Sequence, residues 1–341
     1  MTMGEQDNIA VIGAGSWGTA LARLLAAKGK QVYLWSGNSR LANDIAACRE
    51  NKKYLPGAIL PDSLIVGTEL EPVTSCSHVV MVIPSHGYRE VFRRIIPYLQ
   101  ADTLLVSAVK GIEIGSRMTM TQVMKEEMDT HQTRLNCRTG VLSGPSFADE
   151  VAADQPTAVT VAFADREAAR SVQHLFSTGF FRVYTSSDVI GLEICGAMKN
   201  VIAIAAGISD GLGFGLNTRA ALITRGLVEI ARLGRRMGAN PHTFYGLGGL
   251  GDLVLTCTGN LSRNRTVGLK LGSGKSLEQA LAEMTMVAEG VRTTRSCYNL
   301  ASSLGVEMPI LEQVWQVLYN GKNCRQAVQD LLTRDLKDEL E

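Results

Sequence analysis

The sequence predicts an α/β chain in two parts, a doubly wound parallel-sheet domain followed by an all-helical domain. Up to about Ser187 short β-rich runs alternate with amphipathic helical patterns, and beyond that point the strand runs largely stop. A glycine cluster, GAGSWG, closes the first β run and opens the first helical one. With 341 residues the chain can bury two cores. The expected division is 1–188 and 189–341.

The strand candidates are, in order, NIAVIGAG, QVYLWS, HVVMVIP, TLLVSAVKG, GVLSGPS and TAVTVAF. Several are apolar on both faces, as strands covered by helices on both sides are. Between them SWGTALARLLAAKG carries an Ala/Leu stripe, and HGYREVFRRIIPYL is amphipathic until Pro97 ends it. The second half reads as helices over DVIGLEICGAMKNVIAIAAGI, TRAALITRGLVEIARLGRRMG, SLEQALAEM and MPILEQVWQVLYNG. No internal repeat or low-complexity linker separates the halves.

Composition narrows the function classes. Net charge is +1 with acids and bases interspersed, which leaves no footprint for nucleic acid or an anionic membrane, so the partners are expected to be small molecules. The first residues, MTMGEQDN, lack a signal-peptide pattern, and no later run is expected to reach the length of a membrane span, so a soluble cytoplasmic protein is expected. Seven scattered cysteines without a CxxC pair read as reduced structural thiols. Five histidines lack metal-ligand spacing, and no metal site is expected. His86 reads as an ordinary polar loop residue, with the cleft as the alternative. The RRMGAN and LTRDLKDELE clusters read as solvated faces.

Gly13, Gly15 and Gly18 supply G-x-G-x-x-G in the context that gives the motif meaning. Such glycines allow a tight turn, close approach of backbone to a pyrophosphate, and close helix–strand packing, with the helix N-terminus offering its N–H groups to the phosphates. A Gly-rich turn without a ligand is the bland alternative. A second literal match, GLGGLG at 246–251, follows no buried strand and reads as a flexible loop shaping a site around Asp252. After QVYLWS, where an NAD-specific protein usually places an acid, come Gly37, Asn38, Ser39 and Arg40. Without a carboxylate to repel a 2′-phosphate, and with Asn38 and Arg40 to bind one, NADP(H) or dual use is favoured over strict NAD; alternatively Arg40 faces solvent.

Lys199 stands in the middle of an apolar helix. Its neighbours at i−4, i−3, i+3 and i+4 are Cys195, Gly196, Ile202 and Ala203, so no acid on its own helix pairs with it. It must snorkel to water, find a partner from another segment, or lose its proton. Other segments offer charge: Lys110 ends the strand run of AVKGI at the sheet edge where ligands bind, LSGPSFADE ends another run, and GDLVLTCTGNLSRNR brings Asp252 and arginines.

The chain resembles the bacterial glycerol-3-phosphate dehydrogenases that use NAD(P)+. The matching stretches are VIGAGSWGTALA, YLPG, VKGIE, LSGPSFA, CGAMKNVIAIAAGISDGLGFG, NTRAALITRGLVEI, GLGGLGDLVLTC, SRNR and VAEGVRT, in order to about residue 294. The resemblance implies that Lys199 is the proton acceptor, with Lys110 and Asp252 completing the polar cluster. It implies substrate contacts from Gly144, Ser146, Ser262, Arg263 and Asn264, and cofactor contacts from Ser16, Trp17, Tyr54, Lys110, Ala148, Arg263, Val287 and Glu289. It further implies a homodimer, a small phosphorylated substrate, and a role supplying glycerol 3-phosphate for phospholipid synthesis.

Oxidising a secondary alcohol sends hydride from carbon and a proton to a base. Lys199 serves as that base only if its pKa falls well below about 10.4, and an apolar helix and nearby Lys110 both push it down. Asp252 would pull it up. Ser262, Arg263 and Asn264 precede the helical run TVGLKLGSG, so side-chain donors and a helix N-terminus can meet one dianion; a capped helix with solvated arginines is the alternative. Two further readings compete: a 3-hydroxyacid or 6-phosphogluconate-type dehydrogenase, and a non-enzymatic dinucleotide-binding redox sensor.

Overall fold

The computed structural model describes residues 8–131, 135–284, 288–336 and 338–339. Among the described residues ten strands form: β1 (Asn8–Ile12), β2 (Gln31–Trp35), β3 (Glu50–Asn51), β4 (Leu55–Ile59), β5 (Leu64–Gly67), β6 (His78–Met81), β7 (Leu104–Ser107), β8 (Arg138–Ser143), β9 (Thr157–Phe163) and β10 (Phe181–Ser186). The helices of this half are α1 (Ser16–Ala27), α2 (Ser39–Cys48), α3 (Tyr88–Ile95), α4 (Met120–Thr130), α5 (Ala148–Ala152) and α6 (Arg166–Phe176). The second half holds α7 (Val189–Gly211), α8 (Leu216–Arg236), α9 (Asp252–Thr258), α10 (Arg263–Gly272), α11 (Leu277–Ala282), α12 (Glu289–Leu304), α13 (Pro309–Tyr319) and α14 (Cys324–Leu332).

Eight strands make one sheet in the order β10-β9-β8-β7-β6-β1-β2-β5, and β3 and β4 pair separately as an antiparallel hairpin. Successive residues of each strand point to opposite faces. Ile9 and Val11 of β1 therefore join the core under α1 and α6, while Ala10 and Ile12 join Phe92 and Met124 beneath α3 and α4. The order reverses between β1 and β6, which opens a crevice at their carboxyl ends.

The sheet departs from an all-parallel one at β9, which runs antiparallel to β8. Only the five-residue helix α5 lies between them. A helix that short spans about 7–8 Å, too little to return the chain along a six-residue strand of roughly 20 Å, so β9 starts at the edge where β8 ends. The loop carrying Gly144 and Ser146, and the start of α5 at Ala148, consequently stay at the crevice.

In the second half α7 is the axis. All residues from Gly191 to Ser209 are buried, because α8, α9, α10 and α12 pack around it. By length and composition α7 could cross a membrane, contrary to the expectation that no run reaches that length. Yet 89% of its apolar window is buried inside the protein, and α7 is a core helix.

Its contact with α10 is backbone to backbone. A Cβ at Gly207 would lie 2.0 Å from the Arg265 carbonyl oxygen, and one at Gly268 would lie 2.0 Å from that of Ile204. Small residues here let α10 approach closely enough to bring Arg263 and Asn264 beside Lys199. The two halves are tied by Glu193 of α7, whose buried carboxylate accepts from the backbone N–H of Thr121 at 2.9 Å and from its hydroxyl at 2.5 Å. These donors sit in the first turn of α4, where a carboxylate meets the positive helix end.

Candidate active site

The crevice continues as a cleft of roughly 560 Å³ running from the glycine-rich turn to α7, α10 and α12. That size suits a cofactor or drug-sized ligand. At one end Gly13 sits at φ +124°, and a Cβ there would lie 2.6 Å from the Val82 carbonyl oxygen. A Cβ on Gly18 would fall 1.9 Å from the Gly13 carbonyl oxygen, so α1 packs directly on the turn. Gly15 has open space on its Cβ side and stands as the N-cap of α1 without a side-chain capping bond. The first turn of α1 holds no acid.

Ser16 and Trp17 also line this end, and the Trp17 indole Nε1–H is buried without a hydrogen-bond partner among the described residues. Uncapped amides, an orphaned donor and room at Gly15 fit the pyrophosphate of a dinucleotide. Asn38, Tyr54, Ala148 and Glu289 line the cleft as well. Arg40 is exposed beside Asn38 and is not among the lining residues. Val287 lies outside the described residues.

At the other end is the lysine pair. Lys199 Nζ donates to Asp252 Oδ1 at 2.5 Å and to Thr256 Oγ1 at 2.8 Å, and Lys110 Nζ donates to Asp252 Oδ2 at 2.8 Å and to the Gly144 carbonyl at 2.9 Å. Asp252 is fully buried, whereas Lys199 is 6% exposed and lines the cleft. Of the three fates open to Lys199 in the sequence, two are combined: a partner from another segment and an easier loss of the proton. Its pKa is lowered to about 7: burial is the largest cause, Lys110 adds to it, and Asp252 opposes both.

Beside the lysines two amides link three helices and the segment that carries Lys110. Asn200 Nδ2 donates to the Lys110 carbonyl at 3.1 Å, and Asn264 Nδ2 donates to Asn200 Oδ1 at 2.9 Å. Asn264 Oδ1 in turn accepts from the Gly290 amide at 2.9 Å, at the start of α12. Glu289, one residue earlier, is half-buried. Burial raises its carboxyl pKa, while Arg263, Lys110 and Lys199 pull it down.

Ser262 caps α10, its hydroxyl accepting from the Arg265 amide at 3.3 Å. The two arginines that follow part company. Arg265 is held by Asp210 at 2.7–2.8 Å, whereas Arg263 is exposed and lines the cleft with Ser262, Asn264 and Ser146. Gly144 stands just behind, through the carbonyl that holds Lys110.

GLGGLG proves to be helical. The Gly251 amide donates to the Gly246 carbonyl at 3.2 Å, one turn of π spacing that runs directly into α9. Its glycines serve packing, since a Cβ at Gly248 would lie 2.0 Å from Leu192 and one at Gly249 would lie 2.2 Å from the Phe244 carbonyl oxygen. The turn delivers Asp252 to the bottom of the cleft. Two site residues went unread in the sequence, Thr256 and Asn200. Thr256 had a signal in its i+4 spacing from Asp252, and Asn200 had only its place next to Lys199.

A dinucleotide crevice facing a buried, low-pKa lysine held by an aspartate defines the class, a two-part dinucleotide-dependent dehydrogenase that moves hydride and proton together. The N-terminal family description for NAD-dependent glycerol-3-phosphate dehydrogenase matches residues 8–169, and the C-terminal one matches residues 188–329. The chain belongs to this family. It is 59% identical to glycerol-3-phosphate dehydrogenase [NAD(P)+] of Desulfotalea psychrophila, over 97% of this chain and 98% of that one. The corresponding protein of Citrifermentans bemidjiense is 55% identical, over 98% and 99%. A crystal structure of glycerol-3-phosphate dehydrogenase from Coxiella burnetii matches with a TM-score of 0.92 at 41% identity, covering 96% of this chain and 99% of that one. Family membership displaces the hydroxyacid-dehydrogenase and redox-sensor readings.

Proposed function

We propose that the chain interconverts dihydroxyacetone phosphate and sn-glycerol 3-phosphate, with NADPH favoured over NADH, and so supplies glycerol 3-phosphate for phospholipid synthesis. The observation that carries the mechanism is Lys199: buried in an apolar helix, open to the cleft, and able to exist as amine or ammonium near neutrality. When bound, the dinucleotide supplies the hydride donor or acceptor. The uncapped start of α1, with Gly13, Gly15, Ser16, Trp17 and Gly18, would hold its pyrophosphate, and Asn38, Arg40, Tyr54, Ala148, Val287 and Glu289 would flank it. Arg263 and the start of α10, with Ser262, Asn264 and Ser146, would take the substrate phosphate, a role that Arg265 cannot share while Asp210 holds it.

In the oxidative direction neutral Lys199 accepts the hydroxyl proton; in the reductive direction its ammonium protonates the developing alkoxide. Asp252 keeps the charged form tolerable and aims it, and Lys110, held by Asp252 and Gly144, places a second cation beside the reacting oxygen. Replacing Lys199 with Ala should lower kcat by at least about a hundredfold and leave cofactor affinity nearly unchanged. Unchanged turnover would sink the assignment. Coupled assays of dihydroxyacetone phosphate reduction with NADPH and with NADH test substrate and cofactor together.

The same reading takes 1–188 and 189–341 as the two domains, and makes the enzyme a cytoplasmic homodimer. Seven unpaired cysteines suit a reducing compartment, and exposed Leu216 and Tyr245 on the helical half offer apolar surface to a second copy. Light scattering of the purified chain reads the oligomeric state directly.

A further inference from the structure

The β3–β4 hairpin is tied to the glycine-rich turn by one buried side chain. Asn51, fully buried, donates from Nδ2 to the Ala14 carbonyl at 3.0 Å and to Thr19 Oγ1 at 2.8 Å. Its Oδ1 accepts from the Tyr54 amide at 3.2 Å, so one amide fixes the hairpin to the turn and to α1 and also shapes residues 52–54. Leu55, the next residue, anchors the hairpin in the sheet core. Tyr54 lines the cleft together with Ser36, Asn38 and Leu41. Lys53 extends its ammonium to 4.9 Å from the centre of the Tyr54 ring.

In a doubly wound domain the adenosine half of a dinucleotide runs from the glycine-rich turn toward the end of β2. Residues 36–41 follow β2 and contain no acid, and Glu50 of the hairpin is engaged by the Gly57 amide at 2.8 Å. We propose that Lys53 is a specificity-determining residue, its ammonium binding the 2′-phosphate of NADP(H) from the hairpin side of the cleft. Asn51 acts through it as a positioning residue, since the tie to Ala14 sets the distance from the pyrophosphate turn to the lysine. The ring of Tyr54 orders the long side chain, which reduces the entropy lost on gripping a phosphate. This assignment rests on the proposed preference for NADPH.

The test compares the full-length wild type, Lys53→Gln and Arg40→Gln in dihydroxyacetone phosphate reduction, with adenosine 2′,5′-bisphosphate and 5′-AMP as competing probes. Lys53→Gln should raise the KM for NADPH and the Ki of the bisphosphate about tenfold, the scale of one charge-assisted contact, while kcat and the constants for NADH and 5′-AMP stay within about twofold. Raising ionic strength should weaken NADPH binding less in the variant than in the wild type. A wild type that prefers NADPH, with Lys53→Gln inert and Arg40→Gln taking the whole loss, overturns the role of Lys53 and leaves the cofactor preference standing. Equal loss toward NADH and NADPH also overturns it. A wild type that binds the bisphosphate no better than 5′-AMP overturns both.

Discussion

Lys199 shows how far a single residue can be read. Its four apolar neighbours in the helix exclude a local ion pair, but its partner stands 53 positions away and no local pattern points to it. The pKa of about 7 follows from three causes with different signs, which makes it testable by deletion. Loss of Asp252, the group that raises it, should move the Lys199 titration to lower pH in Asp252→Asn. Removing the positive charge of Lys110 should move it up in Lys110→Met. Nitrogen NMR of labelled lysine reads both shifts without relying on turnover. For the wild type, kcat for oxidation should rise with pH through about 7 as the amine forms, and kcat for reduction should fall over the same range. Coincident slopes in the two directions would contradict a single acid/base at this position.

Elements were legible where their patterns were long. The six β runs read from the sequence all form strands; several are apolar on both faces, and each holds at least three consecutive buried residues. β5 was not read, since LIVG lies at the edge of the sheet with Ile65 exposed and is not covered on both faces, and β10 was missed because half of FRVYTS faces outward. GLGGLG misled in another way: glycine density suggests a loop, whereas here bare backbone is needed for close packing beneath α9. The same need governs α7 against α10. Gly268→Ala pushes a methyl group toward the Ile204 carbonyl and should cost about 2–3 kcal/mol, lowering Tm by several degrees in calorimetry. Alanine at Gly274, where nothing stands within 4 Å but φ is +97°, separates backbone strain from crowding.

At the scale of the whole molecule, the two-part architecture was legible because the hydrophobic period changes near Ser187. How the parts meet was not, since Glu193 reaches Thr121 across 72 positions. Stability carries its own signature of buried charge. Glu229 of α8 caps α13 through the amides of Ile310 and Leu311, at 2.6 and 3.2 Å, and burial raises its pKa to about 7. A carboxyl whose folded pKa lies above the unfolded value stabilises the fold least once it is charged. Its contribution should therefore fall as pH climbs from about 4.5 to about 7, by a few kcal/mol at most. Glu229→Gln should flatten the dependence of Tm on pH in that window; an unchanged slope would place the titration elsewhere.

The burial of α7 on every side has a consequence for how the chain can vary. A helix that is half exposed leaves roughly every second position open to drift, but α7 has nineteen buried positions in succession, from Gly191 to Ser209. Within that span lie the tie to α4, the amine of Lys199 bound to Asp252 and the glycine seam to α10. A library of all single substitutions, scored for growth that depends on the enzyme, should therefore show a continuous band of intolerance along α7 rather than the striped pattern of an amphipathic helix.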